Sequence, residues 1–535
     1  MAELKDWLSI DKASGEGNDV ITLTASLLEE VGERNASIKI STATKSVYLN
    51  LTQKKLDAPV NPDDILNNEL WVKSTDGSQV TPYSSSFSYK VNKTRLTSDG
   101  WTLYTLKEPL TEIDGLAFYQ TKIQEVVMPK TVTTIGRYAF GSCKLESLDI
   151  PDSVTTIGEF AFEGNPIATL KIGSGISEIL SSTFSGCNNL TSIVVSENNE
   201  TYDSRNNSNC IIETATNKLI LGCCNTVIPD TVTIIGDRAF IENVEYIDIP
   251  NSVITIEEYA FGSTNLKSIV IPDSVTSIGE GAFTLCYGLT TVTLGNGLTS
   301  IGKSTFSFCK LTSINIPDSV TTISNEAFQY CENLESVYIG SGVSNFEGAA
   351  FANTYNLSSI VVSPNNTKYH SIDNCVIETE TNELVLGCKN SVIPNTVKEI
   401  NYGAFYGCRG LTSIEIPDSV TDINGSSFYG CTNLTSLVIP DSVTYIGLQA
   451  FMGCSGLTTV TLGSKVSTIE YNGFNGCKNL EKIICKGKAA YINSTTFKYV
   501  KTGGVLEYPK SYSYSSWLST SSYYLGYYGW TGVPY

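Results

Sequence analysis

A phrase of thirteen residues returns along this chain with small changes. It reads IPDSVTSIGEGAF at 271–283, IPDSVTTISNEAF at 316–328, IPDSVTDINGSSF at 416–428 and IPDSVTYIGLQAF at 439–451. Its closing phenylalanine keeps time: fifteen of them run from Phe118 to Phe497 at intervals of 21 to 23 residues. Two intervals are longer, 56 residues from Phe184 to Phe240 and 54 from Phe351 to Phe405. A period of this length means stacked supersecondary units, because one unit cannot bury its apolar face alone.

Within a period the pattern is L-x-x-I-x-I-P-x-S-V-x-x-I-G-x-x-A-F-x-x-C. Leu311, Ile314 and Ile316 mark a short strand with one buried face. Pro317-Asp318 reads as a turn, Val320 and Ile323 point inward again, and Phe328 with Cys331 reads as a tight helical turn that enters the core. These residues resemble the BspA-like leucine-rich repeats over about 113–497. The resemblance implies a mainly β chain, a right-handed solenoid with a parallel sheet on its concave face. It also implies a bacterial surface or secreted protein of adhesive type.

The two long intervals repeat each other. VVSENNETYDSRNNSNCIIETATNKLILGC at 194–223 matches VVSPNNTKYHSIDNCVIETETNELVLGC at 361–388, so each is one repeat enlarged by a β-hairpin insertion, at about 196–226 and 363–391. If the turns centre on Thr216-Asn217 and Thr381-Asn382, Cys210 faces Cys223 and Cys375 faces Cys388, and disulfides become feasible. A slip of one residue removes that facing.

The solenoid is expected over 113–499. Before it, residues 1–56 hold alternating runs ITLTAS, ASIKIS and SVYLNLTQ, the signature of a small β-domain. Trp7, Gly15, Arg34-x-Ala36-x-Ile38-x-Ile40 and Val47-x-Leu49-x-Leu51-x-Gln53 resemble the BACON domain. That resemblance implies an immunoglobulin-like sandwich and carbohydrate or mucin binding. Residues 57–112 are expected to be a linker and N-terminal cap, with a hairpin around Asp76-Gly77. Residues 500–535 are rich in tyrosine and contain Trp517 and Trp530; they read either as a C-terminal cap plugging the last coil or as an aromatic platform for sugar rings.

Composition narrows the function. A net charge of −19 argues against nucleic acid and against anionic lipid as partners. No apolar run reaches the roughly 20 residues of a membrane helix, and the start, Met1 to Trp7, lacks the apolar core of a secretory signal. There is one histidine, His370, in an insertion loop beside Asp373, without a nucleophile marked for it, and it is expected to be a solvated side chain. Gly297 to Ser304 satisfies the phosphate-loop pattern, but Ser274 to Gly281 occupies the same phase one coil earlier, so the match belongs to the repeat. Asp152, Asp273, Asp318, Asp418 and Asp441 fall at the Pro-Asp turns, where turn chemistry accounts for them without calcium. Nine cysteines follow the clock phenylalanine by three residues, a position that elsewhere holds Asn, Thr or Val; this marks a small buried packing site rather than a metal or disulfide scaffold. No cofactor, no metal and no catalytic residue are expected, and the chain is not expected to be an enzyme.

What remains is a monomeric binding or adhesion protein whose partner is a host or surface protein or glycan. A phage- or particle-associated receptor binder and a carbohydrate-binding accessory protein acting through the BACON-like domain are the alternatives. In each long strand the residue between the two inward positions points away from the core. On that outer row Asp149, Lys171, Asp248, Asn315, Tyr338 and Glu415, with Tyr246 beside it, are the candidate ligand contacts, set among valines at 127, 194, 270, 361 and 438.

Overall fold

The structure, a computed structural model, describes residues 65–347 and 349–535 in full and, before them, the backbone of four strands. Leu8–Ile10 pairs antiparallel with Leu23–Ala25, and Glu33–Ser41 with Ser46–Lys54. The three alternating runs therefore do become strands. The sandwich, and with it the BACON-like reading, lies outside the described residues. The chain divides into two compact units, one reaching Cys187 and including Ser196–Asn199, the other holding Asn188–Val195 and everything from Glu200.

The first unit opens on an antiparallel sheet in which Val91–Leu96, Trp101–Leu106, Glu69–Ser74 and Ile123–Val127 lie side by side in that order. The hairpin expected at Asp76-Gly77 does not form. The chain turns there, but Pro82 brings no N–H and Ser84 caps the helix Ser85–Lys90, its hydroxyl accepting from Ser86 N. The hairpin instead turns at Thr97 to Gly100, where Gly100 adopts φ +85°. Asp76 accepts hydrogen bonds from Lys122 Nζ and from Ser78 Oγ and N, which hold its carboxyl well below the usual carboxylate range. Phe87 of the Ser85–Lys90 helix meets Phe118 edge-on at 4.9 Å, and Phe118 stacks on Phe140 at 5.4 Å, so an aromatic layer runs from the helix into the coils.

Most coils carry two parallel strands. The long one is the L-x-x-I-x-I segment, as in Ser313–Ile316, which pairs in register with Ser336–Ile339 and through it with Ser359–Val362. The short one is the two residues ending at the inward isoleucine, as in Ser300–Ile301 and Thr322–Ile323, with Phe346 in its place in Asn345–Phe346. A third line of bonds joins coils at the phenylalanine turn, where Phe428 N donates to Ala450 O at 2.8 Å and Phe261 N to Ala282 O at 2.8 Å. The rings stack in columns. From Phe405 to Phe497 the centroids are 4.9, 5.2, 5.1 and 5.7 Å apart with planes within 10° of parallel.

The cysteine column is more than packing. Cys331 Sγ donates to Phe306 O of the preceding coil at 3.1 Å, Cys431 to Phe405 O at 3.2 Å and Cys454 to Phe428 O at 3.1 Å. Where asparagine replaces cysteine, Asn165 Nδ2 donates to Phe140 O at 2.8 Å, and Thr264 Oγ1 donates to Phe261 O of its own coil at 2.8 Å. Cys, Asn and Thr thus share a donor as well as small size.

Both insertions are hairpins, Cys210–Glu213 with Lys218–Gly222 and Cys375–Glu378 with Glu383–Leu386, each preceded by one further antiparallel strand. The second strand of each hairpin then runs parallel to the next coil's short strand, Leu219 beside Ile235 and Leu384 beside Ile400. The hairpin thereby supplies a rung of the short ladder. Cys210 lies opposite Gly222, one residue from Cys223, and all fifteen cysteines are free thiols. A bulge one residue into the hairpin sets this register, so the cysteine facing that a bridge requires is missed.

The C-terminal segment extends the long ladder. Val505–Tyr508 pairs with Lys482–Cys485, and Thr531–Pro534 pairs with Val505–Tyr508. Trp517 is buried 5.2 Å from Phe497, in the place of the next ring, and its Nε1 donates to Ala490 O at 3.0 Å. Trp530 is also buried and donates to Lys501 O. Tyr491, Tyr499 and Tyr527 remain exposed.

Candidate binding face

The long-strand face is built by alternation. In Ser313–Ile316 the side chains read out, in, out, in, and the same holds for Thr169–Ile172 and Ser268–Val270. The inner row is buried Ile, Leu and Val; the outer row belongs to solvent.

At one margin the Pro-Asp turn of one coil holds the next. Asp152, Asp273, Asp318 and Asp441 each accept the backbone N–H of the Ser or Asn one coil on, at 2.6 to 2.8 Å. The donating coil needs glycine there, since a Cβ on Gly340 would lie 2.6 Å from the Pro317 carbonyl. These four carboxylates are structural acceptors, which is why their coils are followed by Gly-Ser or Gly-Asn coils; Pro417-Asp418 is followed instead by Pro440-Asp441. The N–H of Ser341 holds the Asp318 carboxyl below its ordinary range.

The candidate contacts fall in different places. Asp149 and Lys171 are adjacent rungs of the first unit and face each other at 3.5 Å as an exposed ion pair. Asn315 and Tyr338 are register partners in the second unit, both exposed. Tyr246 and Asp248 are exposed on a segment without regular strand, as is Glu415. Among the described residues no cation reaches ion-pair distance of Asp248 or Glu415. Valines 194, 270, 361 and 438 are exposed, and Val127 is half-buried.

Two positions escaped the sequence reading. Val227 and Val392 are 71% and 63% exposed and precede Ile228-Pro229 and Ile393-Pro394, as Val270 precedes Ile271-Pro272. The insertions break the phenylalanine spacing there, but the Ile-Pro pair would have found them.

The other motifs resolve into structure. Within 297–304, Ser300–Ile301 is a short strand and Lys303 pairs with Glu280 at 3.0 Å, with no helix following. His370 lies within the strand Tyr369–Ile372, half-buried, its Nδ1 3.2 Å from Thr379 Oγ1, rather than in a solvated loop. The thiols of Cys187 and Cys331 are pushed up to about 12 by burial. Among the described residues no three His, Cys, Asp or Glu side chains are grouped to hold a metal ion, and no helix is long and apolar enough to cross a membrane.

The repeat region is recognised by a family described as BspA type leucine rich repeat region (6 copies), which matches residues 111–219, 222–269, 254–382 and 383–502. No curated protein matches the chain. Among solved structures it is similar to a leucine-rich repeat protein from Bacteroides ovatus, at 23% identity over 71% of this chain and 88% of that one, with a TM-score of 0.39. It is also similar to a leucine rich cell surface protein from Faecalibacterium prausnitzii, at 24% identity over 74% and 86%, TM-score 0.39. A leucine-rich repeat protein from Eubacterium ventriosum gives 21% identity over 61% and 81%, TM-score 0.39. With a match across most of its length, this chain belongs to the BspA type leucine rich repeat family.

Proposed function

We propose that the chain is a non-catalytic binding or adhesion protein of the cell surface or secreted space, which recognises a host or surface protein or glycan through its long-strand face. The observation that carries this reading is the outer row itself. Val270 is 62% exposed and Val438 57% exposed on a sheet whose other outward residues are mostly Ser and Thr. One exposed valine on a strand is ordinary, but valine recurring on the same row of several coils offers a partner apolar surface. Tyr246, Asp248 and Tyr338 are the contacts of greatest chemical content on it.

The test is a glycan, mucin and surface-protein array probed with the full chain and with the triple variant Tyr246→Ala, Asp248→Ala, Tyr338→Ala. All three side chains are exposed, so the variant keeps its circular dichroism and melting temperature. Binding to the array hit is expected to weaken roughly tenfold or more. Unchanged affinity would remove the site from this face.

A further inference from the structure

The two hairpin insertions head two blocks of coils whose local bonding is the same. Val195 N donates to Ser204 Oγ at 3.0 Å, and Val362 N to Ser371 Oγ at 2.9 Å. Cys223 N donates to Thr226 Oγ1 and Cys388 N to Ser391 Oγ, both at 2.8 Å. Asn225 and Asn390 reach back to the carbonyls of Thr191 and Ser358. Outward residues of the two blocks can therefore be compared position by position.

On the outer row of the long-strand face they agree, although two positions before Asp248 the first block has Tyr246 where the second, before Glu415, has Ser413. The first block presents Val194, Val227, Asp248 and Val270; the second presents Val361, Val392, Glu415 and Val438. The valines of both rows are 46–71% exposed. On the short-strand face of the same coils they do not agree. Register there aligns Lys218, Ile234, Thr255 and Ser277 in one block, and Glu383, Glu399, Asp422 and Tyr445 in the other. Both faces point outward on the same coils, and core packing restrains neither. A shared ancestry of the blocks would have left both faces alike; only one has kept its chemistry.

That chemistry is specific. Elsewhere on the outer row acids are neutralised, Asp149 by Lys171 at 3.5 Å and Glu507 by Lys482 at 2.8 Å. Among the described residues Asp248 and Glu415 stand without a cation, each on an outer row that also carries three exposed valines. Each strip thus complements a partner surface carrying one cation among apolar side chains. We infer that the chain is bivalent: it carries two equivalent docking strips, each accepting a protein segment with a Lys or Arg flanked by Val, Ile or Leu. The inference rests on the long-strand face being the binding face. Two weak strips on one chain would raise avidity toward a repetitive partner.

The experiment uses the full chain on an array of nine-residue synthetic peptides. The centre is Lys, Arg, Ala or Glu, and the flanks are Val, Ile or Leu. The strongest peptide is then titrated by calorimetry. Lys- or Arg-centred peptides are expected to bind, with two peptides per chain. Asp248→Lys and Glu415→Lys each reduce this to one, and the double variant to none. Asp248→Asn and Glu415→Gln weaken their own site roughly tenfold, and Thr255→Lys changes nothing. One peptide per wild-type chain would overturn the equivalence of the strips. Glu-centred peptides binding equally well, or no peptide binding at all, would overturn the partner chemistry. In that case a glycan or mucin hit sensitive to the triple alanine variant would leave the proposed function standing. Binding lost in Thr255→Lys would overturn both.

Discussion

Phe428→Ala tests how the solenoid is held together. The ring is fully buried, 4.9 Å from Phe405 and 5.2 Å from Phe451, each within 6° of parallel. Truncation leaves a void bordered by two rings that cannot move together, because the backbone bonds on either side fix the coil spacing. A buried Phe to Ala change costs about 3–5 kcal/mol, of which the two lost ring contacts are a part at about 0.5–1.5 kcal/mol each. Each coil touches only its neighbours, so the loss stays local. Hydrogen exchange of the amides in the 405, 428 and 451 turns should accelerate by roughly two to almost four orders of magnitude, at about 1.4 kcal/mol per factor of ten. The turn at Phe283 should be unchanged, and so should every turn in the control Tyr471→Ala, whose ring is 54% exposed. An acceleration below tenfold, or one spread evenly to Phe283, would refute the reasoning.

Gly340→Ala places a Cβ 2.6 Å from the Pro317 carbonyl and should destabilise the second unit by about 1–3 kcal/mol in urea unfolding. Asp318→Asn should flatten the acid limb of stability. The folded carboxyl titrates below its unfolded value, so its contribution is present above about pH 3.9 and is lost as pH falls through the lowered folded value; an unaltered acid limb would exclude the Ser341 contact. Thiol titration should find fifteen groups in denaturant but no more than one reacting promptly in the native protein, Cys224, the sole cysteine not buried. Trp517→Ala should cost about 3–5 kcal/mol and admit protease near Phe497, because it removes both the last ring of the column and the donor to Ala490 O.

The repeat decided most of the fold before any coordinates. A period of 21 to 23 residues with inward Leu, Ile, Val and Phe leaves stacked coils as the way to bury those side chains, and strand alternation then assigns the outer row. Exposure at Asp149, Asn315, Tyr338 and Val438 follows from that alone. The sequence could not decide whatever depends on which residues meet across coils. The bulge that sets Cys210 against Gly222 is a matter of register, and one residue changes the answer. Pro82 and the Ser84 cap diverted the chain from a hairpin at Asp76-Gly77 toward pairing with Trp101–Leu106 and Ile123–Val127, partners thirty to fifty residues away that no local pattern names. The Cys and Asn of the clock position looked like mere small residues until the neighbouring coil brought the phenylalanine carbonyl within reach of their donors. Local side-chain periodicity is written in the chain; contacts between coils depend on the stacking, and it was the stacking that set Asp149 beside Lys171 and, among the described residues, left Asp248 and Glu415 beyond ion-pair distance of a cation.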